Sequence, residues 1–456
     1  MQAGCGGDAG SDGNEGGAGG GVVGSGGSSA SGGVSGRGGA TGGSGPTGSG
    51  GMTGAAGTGA ITGVAGAAVT TGSGGTPSTG GTTGSGGRAG AGGAGVGGRS
   101  ATGGASGAGG AAGAAGVAGG SGQGGGAPAG VRLVGRFDTT DATRPSFSWS
   151  GSAMMAHFQG TAATLRIDGS PNQFTVVVDG NVASQVLKVV SGTSQYAIAS
   201  GLAAGTHDVV IWKRTEGNQG DNRFLGVDVT GGQLLASPAA LERRIEIYGD
   251  SITAGYGMDG AGPSCTFTPD TEDHYLTYAA VSARSLNAEL HAIAWSGIGM
   301  YRNYGVSGAS ADAMPAVYAR ILASQSASTW DFSKWQPQAV VINLGTNDAS
   351  TNGDPGAPYE TAYLGFVRAL RQKYPAAHVV LTIGPMLDGA NLTAIRGHLQ
   401  NVIATRSNEG DANLSYLEFP VQQQADGYGC DYHPSAATNA KMATLLTAHL
   451  KAHLGW

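Results

Sequence analysis

The sequence predicts an α/β fold: a parallel sheet covered by helices on both faces, preceded by an all-β sandwich and a long disordered arm. Three observations predict it. Residues 6–126 are nearly all Gly, Ala, Ser and Thr, and carry most of the chain's 90 glycines. Residues 131–232 hold short alternating runs bounded by Gly, Asn, Asp and Ser. After Pro238, strand-like runs alternate with helical patterns to the end of the chain.

The arm comes first. It has almost no aromatic residues and few charges, so it cannot bury enough apolar surface to offset the entropy of ordering it. It lacks a strict Gly-x-y period, which sets collagen aside. Residues 1–127 are therefore expected to be a flexible tether. At its head, "MQAGC" places Cys5 before the glycine-rich stretch, an arrangement similar to a bacterial lipoprotein junction. A lipid on Cys5 and attachment to a cell surface are one expectation; a chance cysteine in a secreted chain is the other.

The second part, residues 128–238, reads "VRLVGRF", "SFSWSG", "ATLRID", "FTVVVDG", "QVLKVV", "YAIASG", "HDVVIWKR" and "FLGVDVTGG". Four- to eight-residue runs with turn residues between them predict an antiparallel sandwich, and its size fits a jelly roll.

The third part, residues 239–456, begins "RIEIYGDS" and continues through "TYAAVSARSLNA", "ELHAIAWSG", "ADAMPAVYARILAS", "QAVVINLGTND" and "YETAYLGFVRALRQKY". "HVVLTIGP", "TAIRGHLQNVIATRSN", "LSYLEF" and "AATNAKMATLLTAHL" complete it. Strand and helix alternate, which calls for a parallel sheet with helices on both faces.

The net charge is -6 and no basic patch appears, so nucleic acid is not an expected partner. No apolar run approaches a membrane span. A monomer is expected. Cys265 and Cys430 lie in loop-like contexts and read either as a disulfide or as two unrelated thiols.

In a parallel sheet the strand C-termini open on one edge, where such folds bind ligands. Asp250-Ser251 follows the first strand, Ser296-Gly297 the second and Gly345-Thr346-Asn347-Asp348 the third, while His433 stands in "CDYHPS" before the last helix. Read alone, Ser251 is an ordinary helix cap. Read together, these residues meet the needs of acyl transfer. A serine hydroxyl needs a base, histidine has the right pKa, and the oxyanion needs fixed donors. The backbone N–H groups of Ser251 and Gly297 and the amide of Asn347 are the candidate donors, with Gly299 as the alternative to Gly297. Asp250 and Asp348 are expected to hold loops rather than move protons. The other histidines are read as lacking a second ligand at metal spacing, so no metal site is expected.

"GDSITAGYG", the glycine of "WSGIG", "GTND" and "DYHP" resemble the four blocks of SGNH hydrolases, in order and across the whole of residues 244–456. The preceding "HDVVIWKRTEG" together with "SGIGMYRNYG" and "CDYHPS" narrows the resemblance to carbohydrate esterase family 2, over about residues 130–456. The resemblance implies a three-layer, flavodoxin-like α/β/α SGNH hydrolase domain behind a jelly roll. It also implies a serine acyl-enzyme without any cofactor, and acetylated plant polysaccharides such as xylan and glucomannan as substrates. Tyr301, Asn303, Trp295 and Tyr432 are then expected to line a sugar site, Trp295 alternatively serving the core. The wider SGNH pattern has aspartate three residues before the histidine, where this chain has Cys430. Asp431, two residues before, is the expected orienter of His433, because residues two apart in an extended segment face the same way; a Ser–His dyad steadied by a backbone carbonyl is the alternative. With the histidine in this role, a Cys265–Cys430 disulfide is expected to brace it. The run Lys213–Glu216 either joins the two domains or edges the cleft. Two other functions stand beside the esterase: an SGNH lipase or lysophospholipase, and a non-catalytic surface protein that binds carbohydrate through its jelly roll.

Overall fold

The computed structural model describes residues 130–456. The expected tether, Cys5 and its lipid lie outside the described residues.

Residues 131–234 form two antiparallel sheets packed face to face. The larger is seven-stranded: Val131–Val134, Ala153–Gly160, Gly205–Lys213, Asn172–Val178 and Asn181–Val182 follow one another, with Gln233–Leu234 and Leu187–Val189 paired at its sides. The smaller is four-stranded, in the order Ser146–Phe147, Asn222–Thr230, Ala162–Gly169 and Gln195–Ala199. Alternation aims one set of side chains inward. Phe147, Phe158, Leu165, Ile167, Phe174, Ile211 and Phe224 make a core fully shielded from solvent.

The second domain is built on five parallel strands in the spatial order Ala288–Ala294, Arg243–Gly249, Ala339–Asn343, His378–Ile383 and Leu414–Glu418. The central strands Ala339–Asn343 and His378–Ile383 are buried along their whole length, as a covered parallel sheet requires. Successive residues enter opposite layers. Tyr248, Ile342 and Leu381 pack under helices Ala357–Lys373 and Gly389–Asn408. Ile247, Val341 and Val380 pack under helices Tyr278–Ser285 and Ala436–Leu454. This is the expected three-layer α/β/α fold. The chain's first strand in this sheet has the second on one side and the third on the other, which makes a crevice at their C-terminal ends.

The helix expected over "ADAMPAVYARILAS" is a correction. Only Met314–Val317 is helical. Beyond it, the Arg320 carbonyl accepts from Arg136 Nη1 at 3.0 Å and from Trp149 Nε1 at 3.2 Å, both from the sandwich. Tertiary partners thus take carbonyls that a continued helix would use.

The sandwich and the α/β domain share buried polar contacts. Arg136 and Glu246 form an ion pair at 2.7 Å with both side chains fully buried. The run Lys213–Glu216 joins the domains. Lys213 Nζ donates to the carbonyls of Thr215 at 2.6 Å and Glu216 at 3.1 Å. Arg214 pairs with Asp273 at 2.8 Å. Burial pushes Lys213 down to about 7, and it pushes the carboxyls of Glu216 and Glu272 up. Among the described residues, no helix is long and apolar enough to cross a membrane.

Candidate active site

Strand Arg243–Gly249 ends in a single helical turn, Ser251–Ala254. The cap of that turn is Asp250, whose Oδ1 accepts from the Ile252 N–H at 3.0 Å. The Ser251 hydroxyl is therefore not used as a cap. It lies 2.9 Å from Nε2 of His433, with Ser251 3% exposed and His433 fully buried.

Nδ1 of His433 faces the carbonyl of Cys430 at 3.2 Å. A carbonyl only accepts, so Nδ1 carries the proton and Nε2 presents its lone pair to the serine hydroxyl. Burial pushes the imidazole down to about 4, against the opposing pull of the Cys430 carbonyl and the nearby Asp431. The imidazole is therefore neutral at neutral pH.

The expected role of Asp431 is corrected here. Its Oδ2 accepts from the Tyr256 hydroxyl at 3.0 Å and the Phe267 N–H at 3.2 Å, and the carbonyl of Cys430 is the partner of Nδ1. The reason is backbone conformation. Asp431 and Tyr432 adopt φ of 51° and 61°, so the segment turns tightly and residues two apart do not share a side. Asp431 raises the imidazole through its charge and its backbone, while its carboxylate serves Tyr256 and Phe267.

The turn is locked from several directions. Cys265 and Cys430 form the expected disulfide, closing a separation of 165 residues. The Cys430 N–H donates to the Gly257 carbonyl at 2.8 Å and the Asp431 N–H to the Cys265 carbonyl at 3.1 Å. Gly257 has φ of 65°, and a Cβ there would meet the Cys430 backbone at 3.0 Å. Tyr256 packs on the imidazole with centroids 4.2 Å apart and stacks on Phe267 at 4.1 Å. Tyr256 was not legible as a site residue, although it stands five residues after Ser251 within the first block.

Asn347 lies in the short helix Thr346–Ser350 after the third strand. Its amide donates to the Ile298 carbonyl at 2.8 Å and makes only a long contact, 3.4 Å, with Asp250 Oδ2. One amide hydrogen is thus only weakly engaged. Burial, with Asp348 as a like charge, pushes Asp250 up to about 7, which lowers the negative charge beside this donor.

Gly297 and Gly299 differ in their contacts. Gly299 donates to Asn303 Oδ1 at 3.0 Å. Gly297 has φ of 79° and its carbonyl accepts from Tyr304. Asp348 accepts from three successive N–H groups, those of Met300, Tyr301 and Arg302, at 2.8, 2.8 and 2.9 Å. It is a loop anchor, and burial still pushes its carboxyl up.

The four residues expected at a sugar site divide. Tyr432 is 38% exposed and packs on Tyr428. Tyr301 is half-buried, its backbone held by Asp348. Asn303 uses its amide within the loop, donating to Asp312 at 2.8 Å as well as accepting from Gly299. Trp295 is half-buried and meets Trp149 of the sandwich edge-to-face at 6.5 Å.

Glu216, the end of the run expected to join the domains or edge the cleft, was not among the expected site residues. Its Oε2 accepts from the Ser296 N–H at 2.6 Å, next to Gly297. Its own N–H donates to Glu272 Oε2 at 3.1 Å. A carboxylate from the sandwich thus fixes the second block. The expectation that the remaining histidines lack a second ligand is also corrected: His378, His449 and His453 lie together, far along the chain from the serine.

The sequence matches two families: carbohydrate esterase 2 N-terminal over residues 133–238, and GDSL-like lipase/acylhydrolase over residues 247–441. The chain is 45% identical over 328 residues to the cellulase/esterase CelE of Acetivibrio thermocellus, covering 72% of this chain but 40% of that protein. The chain thus spans about two fifths of CelE. It is 30% identical to an acetylxylan esterase / glucomannan deacetylase of Cellvibrio japonicus, covering 68% of this chain and 86% of that one. The structure of a family two carbohydrate esterase from Clostridium thermocellum in complex with cellohexaose superposes with TM-score 0.69 at 44% identity. That match covers 72% of this chain and all of the other. Two family domains in sequence, a relative matched over most of its length and a shared fold carry one conclusion: this chain belongs to carbohydrate esterase family 2.

Proposed function

We propose that the chain is a serine esterase that removes O-acetyl groups from plant-type polysaccharides such as xylan and glucomannan. The observation that carries this reading is the 2.9 Å contact between Ser251 Oγ and His433 Nε2, with Nδ1 anchored on a backbone carbonyl.

Ser251 Oγ attacks the acetyl carbonyl while its proton passes to His433 Nε2. The imidazolium keeps its Nδ1–H on the Cys430 carbonyl. The oxyanion is received by the N–H groups of Ser251 and Gly297 and by the Asn347 amide; each such donor is worth about a hundred- to a thousand-fold in rate. The imidazolium gives its proton to the departing sugar oxygen, leaving acetyl on Oγ. Water, losing a proton to the same Nε2, then attacks the acetyl-enzyme, and acetate leaves as Oγ regains its proton.

The polysaccharide direction is supported by relatives: one named acetylxylan esterase / glucomannan deacetylase, another solved with cellohexaose. Acetate release from acetylated xylan and acetylated glucomannan, measured for wild type beside Ser251→Ala and His433→Ala, tests the reading. Release by the wild type and its loss in both variants is expected. Equal release by Ser251→Ala overturns the chemistry. Cleavage of p-nitrophenyl acetate without release from either polymer moves the substrate elsewhere.

A further inference from the structure

The last helix, Ala436–Leu454, carries His449 and His453 one turn apart, so both imidazoles sit on one helix face. Strand His378–Ile383 opens with a third histidine, under the same end of that helix. One ligand nitrogen from each of the three lies within 4.8 Å of the others. The rings of His449 and His453 are 4.2 Å apart between centroids, and those of His378 and His453 4.7 Å.

The nitrogens are already partly oriented. His453 Nδ1 donates to the His449 carbonyl at 2.8 Å, so its lone pair is on Nε2. This is the backbone support that a metal-bound imidazole ordinarily has. Nε2 of His378 and Nε2 of His449 both lie 2.7 Å from the Ser415 hydroxyl, which bridges them. Among the described residues no carboxylate completes the cluster, so its donors are imidazoles alone. Hard cations such as Ca²⁺ and Mg²⁺ ask for oxygen ligands. Three imidazoles suit a borderline transition ion.

We propose that His378, His449 and His453 form a binding site for a divalent transition ion, Zn²⁺ foremost, that ties the end of the last helix to the sheet. Zinc–nitrogen bonds of about 2.0–2.1 Å ask the three nitrogens to converge on one ion. His453 is exposed, so its side chain is free to close, and solvent reaches the fourth coordination position. His378 begins its strand whereas Ser251, Gly297 and Asn347 follow the ends of theirs. The site therefore lies on the edge of the sheet opposite the serine. The helix it clamps starts just after His433, so the ion braces the far end of the element that follows the base.

The test uses the full chain without an affinity tag, stripped with EDTA and titrated with ZnCl₂ by calorimetry, beside melting curves with and without ZnCl₂. One Zn²⁺ per chain with micromolar or tighter affinity is expected, with the melting temperature raised by several degrees. MgCl₂ and CaCl₂ are expected to leave it unchanged. His453→Gln and His449→Gln are each expected to weaken binding at least about tenfold, as loss of a ligand or its support does. They are also expected to remove the zinc-dependent shift while melting like the wild type without metal. His453 is exposed, so its variant folds. Absence of saturable binding below about 1 mM overturns the proposal. So does tight binding that survives both substitutions.

Discussion

The carboxylate of Glu216, just past a strand of the β-sandwich, accepts a hydrogen bond of 2.6 Å from the backbone N–H of Ser296. Ser296 precedes Gly297, a candidate oxyanion donor, so the first domain reaches into the catalytic edge of the second. Replacing Glu216 by Ala leaves a half-buried N–H without this acceptor and loosens that donor. A fall in kcat of about ten- to a hundred-fold is expected, with KM little changed. Glu216→Gln keeps an acceptor and is expected to recover most of the rate. Steady-state kinetics on p-nitrophenyl acetate measures both. An unaltered kcat in Glu216→Ala refutes the positioning role.

The pH profile follows from burial of His433. The proposed mechanism needs the neutral imidazole, and burial holds its pKa down to about 4 instead of the ordinary 6.5. The acid limb of kcat/KM is therefore expected well below 6.5, near 4. The unfolded chain takes up this proton at the ordinary value, so the folded state loses stability as pH falls from about 6.5 toward 4. A limb centred at 6.5 or above contradicts the buried neutral base.

Asp431→Asn separates the two ways of orienting the imidazole. Losing a triad aspartate typically lowers kcat by about 10⁴. Here the carboxylate serves Tyr256 and Phe267, so a loss below about tenfold is expected, within the range of a weakened hydrogen bond. A loss in the thousands restores Asp431 as the orienter.

The disulfide joins stability to catalysis. Cys265→Ser opens a loop whose ends are 165 residues apart. A stability loss of about 2–5 kcal/mol is expected, read from urea unfolding. The carbonyl of Cys430 also holds Nδ1 of His433, so kcat is expected to fall in the same variant at temperatures where it stays folded. Full activity after complete reduction argues against the brace.

Much of the architecture was legible because it is encoded locally. Alternation with period two in "FTVVVDG" and the strand–helix rhythm after Pro238 each report which face of a segment is buried. Parallel strands put their C-termini on one edge, so the order of the serine, glycine and asparagine blocks along the chain already brings them to one side of the sheet. The composition of "ADAMPAVYARILAS" favours a helix, yet only Met314–Val317 forms one. Arg136 and Trp149, far upstream in the chain, take its carbonyls.

By itself, the sequence determined the two folded domains in order, the four blocks that meet at one sheet edge, and the cysteine pair beside the histidine. Only the tertiary structure decided that a carbonyl of Cys430 and not the carboxylate of Asp431 faces Nδ1. It alone brought Glu216 to Ser296 and gathered His378, His449 and His453. The physical reason is range. Periodicity and turn chemistry act between near neighbours and are written in each segment. A left-handed turn at two non-glycine residues, or a side chain meeting a backbone N–H across a domain boundary, is fixed by contacts between segments remote in the chain.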